Sequence, residues 1–303
     1  MIKWINLIRW PNLIIIAITQ VAIFYKYFKP LALIPSNEIL QKNLNIVLLI
    51  ACTILVAISG YIINDLFDQS NDKINKKKSK QIIGKSISQE DAIFFYLFVV
   101  ILGNILAIYL TIQFNLFYSY IIYPISVFIF WYYSYQIKCL PLIGNILVSA
   151  FIGGVILLLP YSFHESLFLL KEQDFANYKL IMSDLIAMSI FAFLINLFRE
   201  IIKDIEDIKG DQACRCKSTA VYFGVQKTWI IAQLVLIVLF LFSLLFMFYI
   251  LEKSLDGTFI LMVMTPILIL VYLTLIKKET HITQISLISK FYMIIGLLYF
   301  LIQ

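Results

Sequence analysis

Nine apolar stretches run through this chain, at residues 11–28, 44–67, 91–112, 115–136, 142–163, 180–203, 228–251, 257–276 and 285–302. Each is close to the roughly 20 residues that a helix needs to cross the hydrocarbon core of a bilayer. Inside that core a backbone N–H or C=O finds no water, so a spanning segment is either a helix or part of a closed barrel. A barrel would show alternating strands of about ten residues. These stretches show no such alternation and no internal repeat. The sequence therefore predicts an all-α polytopic membrane protein of about nine transmembrane helices.

Composition supports that reading. The chain has 303 residues, of which 62% are hydrophobic and 14% charged, whereas a soluble domain carries about 25% charged residues. The shortfall is spread along the whole length, so residues 1–303 read as one membrane-embedded domain. The opening "MIKWINLIRWPNL" lacks a small-residue cleavage site and reads as an interfacial stretch, with Trp4 and Trp10 at headgroup depth. The net charge of +6 resides in loops. It speaks to membrane orientation, and nucleic acid is not an expected partner. The positive-inside rule places the loops 69–89 and 204–227, with Lys138, Lys277 and Lys278, on the cytoplasmic side. With nine spans the N-terminus is then cytoplasmic and the C-terminus outside. The four cysteines, Cys52, Cys139, Cys214 and Cys216, form neither a zinc pattern nor a disulfide framework and are expected to be free thiols. His164 and His281 are isolated near span edges and are expected to be dispensable.

Two acidic clusters break the apolar pattern. In "NDLFDQSND", Asn64, Asp65, Asp68 and Asp72 fall within nine positions at the end of the second stretch. On a continuous helix they share an arc of about 100°. In "NLFREIIKDIEDIKGD", Asn196, Glu200, Asp204, Asp207 and Asp211 share about 80° at the end of the sixth. Charges at membrane depth are costly and face a cavity or a partner. Clustered carboxylates repel unless a cation lies between them. Their hard oxygens suit Mg²⁺, which keeps waters and binds through few carboxylates plus substrate phosphates. The clusters thus point to a phosphorylated ligand bridged by metal. Lys138 at the end of the fourth stretch, Arg199 and Lys203 flanking the second cluster, and Lys217 after it are the cations placed to meet a diphosphate. An ion or lipid transporter using intramembrane acids is the alternative of another class. It would more often show paired, interrupted repeats.

The motifs themselves resemble those of the UbiA-type intramembrane prenyltransferases. "NDLFDQSND" matches that family's N-D-x-x-D-x-x-x-D, and "KDIEDIKGD" matches its second aspartate-rich segment. "YSYQIK" at 133–138, "RWPN" at 9–12, "GN" at 144–145 and "KSTAVYFG" at 217–224 are similar to its other segments. Cys139, where the family often has a second basic residue, and "QACRC" at 212–216 depart from the pattern. The resemblance implies a helix bundle around a laterally open cavity in a bacterial or archaeal membrane. It implies Mg²⁺-dependent transfer of a prenyl group from a prenyl diphosphate to a lipophilic acceptor. By position, Asn64, Asp68 and Asp72 would hold one metal, and Asp204, Asp207 and Asp211 would hold the other side. Lys138 and Tyr133 would contact the diphosphate, and Asn12 would line the cavity. "REIIKDIEDIKGD" is most similar to the subgroup acting on geranylgeranylglyceryl phosphate, whereas "KSTAVYFG" is closer to the 4-hydroxybenzoate enzymes. An aromatic acceptor, of the 4-hydroxybenzoate or dihydroxynaphthoate type, therefore stays open beside an ether-lipid acceptor.

Overall fold

The structure is a computed structural model that describes residues 2–31, 36–70, 82–113, 119–250, 263–276 and 282–302. Among these residues the chain is helical, with no strand and only an isolated bridge between Ile83 and Ile87. Seven helices are long and apolar enough to span a membrane: 10–28, 44–67, 89–112, 143–162, 175–206, 225–248 and 282–299. Two shorter apolar helices, Ile121–Tyr135 and Thr265–Ile276, stand where the fourth and eighth stretches were expected. Parts of those two stretches lie outside the described residues, so the described structure contains seven full-length spans and not nine.

The chain divides into two compact units. Unit 1 comprises Met1–Lys138 with Tyr161–Ser166. Within it lie the short α1 (Ile2–Leu7), α2 (Trp10–Ile23, continued by a π-helical turn at Phe24–Phe28), α3 (Ser36–Phe67), α4 (Gln89–Gln113) and α5 (Ser119–Tyr135). α3 is the centre of this unit and packs against α1, α2, α4 and α5. A core of Leu7, Leu13, Ile58, Ile62, Ile87, Ala92 and Val99 joins the inner faces of α1, α2, α3 and α4. Many of the other apolar side chains, such as Phe94, Ile101, Ile105 and Ile112 on α4, are exposed. In a membrane helix this is the face that lipid covers. Gly103 permits the α4–α5 approach, since a Cβ there would sit 1.7 Å from the Tyr123 hydroxyl.

Unit 2 comprises Cys139–Pro160 with Leu167–Gln303. It holds most of α6 (Ile143–Ser162) and α7 (His164–Gln173), followed by α8 (Phe175–Glu206), α9 (Ile208–Ala213) and α10 (Thr219–Phe223). α11 (Val225–Leu245), α12 (Thr265–Ile276) and α13 (Ile282–Ile302) complete it. The long α8 is central here, packing against α10, α11 and α13. Asp174 starts it as an N-cap, its side chain accepting a hydrogen bond from the Asn177 amide at 3.0 Å. The Ser189 hydroxyl of α8 donates to the Gly153 carbonyl of α6 at 3.0 Å. This is the small-residue contact by which membrane helices approach closely.

The cysteine expectation is corrected. Cys139 and Cys216, 77 residues apart, form a disulfide with a Cα–Cα distance of 4.8 Å. Sequence spacing concealed it because the contact is tertiary: the Leu142 amide donates to the Thr219 hydroxyl at 3.0 Å, which brings the two cysteine-bearing turns together. Cys52 and Cys214 remain thiols. Alkylation of the denatured, unreduced protein should therefore modify two of the four cysteines. Modification of all four, read by intact mass, would show that the bond does not form.

Candidate active site

The last turn of α3 carries the first acidic cluster. Asp68 follows that turn, its amide donating to the Asn64 carbonyl at 2.9 Å. This places the two side chains on one face, and Asn64 Nδ2 donates to Asp68 Oδ2 at 2.8 Å. The same carboxylate oxygen is paired with Lys138 Nζ. Lys138 lies in the 3₁₀ turn Ile137–Cys139 that follows α5. Tyr133 stands on the last turns of α5, half-buried. Asp72 lies outside the described residues.

Asp65 is on the same turn but has a different partner. Arg9 Nη2 donates to its Oδ1 at 2.7 Å. The guanidinium also lies over the ring of Tyr61, 4.9 Å from its centroid. Asn12 Nδ2 donates to the Tyr61 hydroxyl at 3.3 Å. "RWPN" is thus tied to α3 at two positions one turn apart. Arg9 adopts a left-handed backbone (φ 53°, ψ 50°) immediately before α2, whose first turn contains Pro11. The turn and the fixed φ of the proline set the direction in which α2 enters the bilayer. The sequence pointed to Asn12 and, within the first acidic cluster, to Asp65; the structure adds Arg9 of "RWPN" as the partner of Asp65.

The second cluster does not lie on one continuous helix. α8 ends at Glu206, Asp207 (φ −94°, ψ 3°) forms the junction, and α9 begins at Ile208. The common helix covers Asn196, Glu200 and Asp204 and is capped by Asp207, whose amide donates to the Lys203 carbonyl at 2.8 Å, whereas Asp211 lies on the next helix. Glu200 Oε1 accepts from both Arg199 Nη1, at 2.9 Å, and Lys203 Nζ, at 2.7 Å. These two cations are therefore ion-paired within α8. Asp204 Oδ2 accepts from the Thr219 amide at 3.0 Å and from Asn145 Nδ2 at 3.2 Å. Asp211 is buried, at 3% exposure, and its carbonyl accepts from the Cys216 amide at 2.8 Å. Lys217 follows that disulfide cysteine and is exposed. Asn145 and Thr219 were legible only as parts of "GN" and "KST", with no role attached.

Among the described residues no group of three or more Asp, Glu, His or Cys side chains comes together as a metal site. The donors present still fit Mg²⁺. In unit 1 an amide and a carboxylate lie side by side, and in unit 2 Asp207 and Asp211 sit one turn apart. Such sparse, hard oxygen sets suit an ion that takes its remaining ligands from water and phosphate.

Long apolar helices with two aspartate-rich segments at helix ends define a membrane-embedded enzyme that handles a phosphorylated substrate. The UbiA prenyltransferase family model matches residues 14–295, and the chain belongs to that family; it is a prenyltransferase. Three relatives share the designation digeranylgeranylglyceryl phosphate synthase. The protein from Saccharolobus solfataricus is 32% identical over 233 residues, covering 75% of this chain and 72% of that one. The protein from Sulfurisphaera tokodaii is 33% identical, the match spanning 62% of this chain and 61% of the relative. The protein from Methanobrevibacter smithii is 27% identical across 95% of this chain and 92% of its own length. Among solved structures, a digeranylgeranylglyceryl phosphate synthase has a TM-score of 0.64 at 21% identity, covering 99% of this chain and 96% of its own. A UbiA homolog from Archaeoglobus fulgidus, bound to GPP and Mg²⁺, has a TM-score of 0.60 at 15% identity, covering 98% of this chain and 99% of its own.

The Arg9–Asp65 contact generates a stability prediction. Asp65→Asn keeps the shape but removes the charge that holds a partly desolvated guanidinium. It should lower the stability of the detergent-solubilised protein by about 1–2 kcal/mol. Thermal unfolding identical to that of the parent protein would show that the pair does not hold α2 to α3.

Proposed function

We propose that this protein transfers a prenyl group from a prenyl diphosphate to the hydroxyl of a geranylgeranylglyceryl phosphate-like lipid, with Mg²⁺ as cofactor. The observation that carries this reading is the Asn64–Asp68–Lys138 cluster: a carboxylate at the end of a membrane helix, beside an amide oxygen donor and already joined to a cation. Asn64, Asp68 and Asp72 from the first segment, and Asp204, Asp207 and Asp211 from the second, are the metal ligands in this reading. Lys138 and Lys217 are the diphosphate cations. Tyr133 lies beside the diphosphate and Asn12 toward the prenyl cavity. Arg199 and Lys203 serve the same anionic substrate at longer range, since both are tied to Glu200.

The reaction breaks the allylic C–O bond of the donor, and the diphosphate leaves with the electron pair. The acceptor hydroxyl forms the new C–O bond and releases its proton. Bound Mg²⁺ would supply Lewis-acid stabilisation of the charge that develops on the leaving group. Lys138 adds a charge-assisted hydrogen bond to a phosphoryl oxygen, at the cost of its contact with Asp68. The apolar helix faces exclude water, which would otherwise capture the allylic cation. The ether-lipid acceptor is favoured over an aromatic one because the relatives that cover most of this chain carry that designation.

The purified protein, given geranylgeranyl diphosphate, Mg²⁺ and either geranylgeranylglyceryl phosphate or 4-hydroxybenzoate, should yield a prenylated product only with the glyceryl phosphate. Prenylation of the aromatic ring alone, read by mass spectrometry of extracted lipids, would overturn the acceptor assignment. Asp68→Ala should lower turnover by at least ~10²-fold, the scale on which one transition-state stabilising group contributes. Lys138→Ala should chiefly raise the KM for the donor. Near-normal turnover in Asp68→Ala would remove this carboxylate from the chemistry.

The loop charges further support a cytoplasmic N-terminus and cytoplasmic aspartate-rich segments. The Cys139–Cys216 bond encloses two membrane-long helices, α6 and α8. An even number of crossings returns both cysteines to one face. With Cys52 and Cys214 replaced by serine and the disulfide kept, thiol labelling should reach Lys85→Cys and Lys209→Cys from the cytoplasmic side. Lys171→Cys should react from the opposite side. Labelling of 85 and 209 from opposite faces would overturn this topology.

A further inference from the structure

Two turns of unit 2 are tied at two points, and both ties keep one register. Cys139 is bonded to Cys216 across 77 residues, with a Cα–Cα distance of 4.8 Å. Three residues on, the Leu142 amide donates to the Thr219 hydroxyl at 3.0 Å, again across 77 residues. Segment 139–142 therefore lies along segment 216–219, with one covalent rung and one hydrogen-bonded rung. Thr219 is held further: its hydroxyl donates to Asn145 Oδ1 at 2.7 Å and its amide to Asp204 Oδ2 at 3.0 Å. On the other segment, Cys139 ends the 3₁₀ turn Ile137–Cys139, and Leu142 adopts a left-handed backbone, φ 62°. A leucine keeps that conformation only where its surroundings over-determine it. Here the disulfide precedes it by three residues and its own amide is bonded to Thr219.

The two cysteines are also the chain neighbours of two cations. Lys138 precedes Cys139, and Lys217 follows Cys216. These are the lysines that meet the diphosphate in the proposed function. Cys139 is half-buried, Cys216 is 5% exposed, and Cys214, two residues earlier, is an exposed thiol. The topology proposed above places this end of the helices in the cytoplasm. Disulfides that face a cytosol are rare, and those that occur serve mostly in catalysis or redox sensing.

We propose that the Cys139–Cys216 disulfide is a redox clasp on donor binding: closed, it presets the turns that carry Lys138 and Lys217 for the diphosphate; opened by a dithiol reductant, it leaves that ordering to the substrate. This inference rests on the prenyl-transfer reading given above. Opening is thiol–disulfide exchange. A thiolate of the dithiol attacks the sulfur of Cys139, the more accessible cysteine. The S–S electron pair goes to Cys216 Sγ, which takes a proton. The second thiol of the reductant then attacks the mixed disulfide and releases Cys139, which is protonated in turn. Two electrons and two protons pass to the protein, and the dithiol leaves as its own disulfide. The covalent rung is lost and the hydrogen-bonded rung stays. Bound diphosphate with Mg²⁺ draws both lysines to the same place in either state. The difference therefore falls on binding and not on the chemical step, so KM moves and kcat does not.

The experiment uses the full chain with Cys52→Ser and Cys214→Ser, which keeps this one pair. It measures kcat and KM for geranylgeranyl diphosphate, and the Kd of a non-hydrolysable prenyl thiodiphosphate with Mg²⁺. Each is read in the oxidised protein, after dithiothreitol and after reoxidation. Reduction should raise KM and Kd by about three- to tenfold, the scale of ordering a long side chain on binding. The kcat should stay within about twofold, and reoxidation should restore all three. Cys139→Ser, Cys216→Ser and the double variant should share the KM of the reduced state, since each lacks the same bond, and dithiothreitol should change none of them. By linkage the effect is reciprocal: the thiodiphosphate should raise the ratio of reduced to oxidised dithiothreitol needed for half-reduction by the same factor by which reduction raises its Kd. A bond that serves stability alone would lower the unfolding temperature on reduction and leave KM, Kd and the half-reduction ratio as they were; that result would overturn the proposal. Failure of the oxidised protein to bind the thiodiphosphate with Mg²⁺ would remove the prenyl-transfer reading, and the proposal with it.

Discussion

A backbone amide or carbonyl left without a partner in hydrocarbon costs several kcal/mol, and every other feature of this protein is arranged around that cost. It forces the apolar stretches into helices, whose internal hydrogen bonds remove the problem. It moves the chemistry to helix ends, where the last carbonyls and first amides need partners anyway. Asn64 and Asp68 occur where α3 stops. Asp204 and Asp207 occur where α8 stops. At the second of these ends a free amide, that of Thr219, is satisfied by a functional-segment carboxylate, Asp204. The requirement for polar satisfaction and the requirement for a charged site are met by the same residue types at helix ends.

Two cation–carboxylate contacts among the described residues of unit 1 show how neighbouring charges are kept apart in role. Asp65 and Asp68 are three residues apart, yet Asp65 is held by Arg9 and Asp68 by Lys138. Arg9 arrives with a planar fork, an aromatic surface under it and a fixed backbone, which makes its contact structural. Lys138 is a point charge on a flexible stem at a short 3₁₀ turn. Arginine and lysine differ in this way generally.

The helical class, the membrane location and the two acidic segments were all legible, because each depends on local composition and period. Asn64 and Asp68 sharing a face followed from i, i+4 spacing on an unbroken helix. The arc drawn through to Asp211 assumed that α8 continues, whereas α8 ends at Glu206 and Asp211 lies on the next helix; nothing in "DIEDIKGD" announces a junction at Asp207. The Cys139–Cys216 bond was illegible for a different reason. Its partners are 77 residues apart, and only the packing that seats Thr219 against Leu142 and Asn145 brings them together. The partners of Arg9 and Asp204 were hidden likewise. A motif reveals which residues are unusual, but a hydrogen bond between motifs is a property of the fold.

The left-handed backbone at Arg9 has a consequence for sequence drift. The site makes two demands that no other residue meets together. Glycine would relieve the backbone, where a non-glycine side chain costs about 1–2 kcal/mol, but would abandon Asp65 and Tyr61. Asparagine tolerates the conformation and lacks the reach. Lysine keeps the charge but neither the fork nor the flat face that lies on the ring. Drift at this position is therefore confined from both sides. A viable replacement would need a compensating change at Asp65, more than fifty residues away, so the two positions are expected to vary jointly.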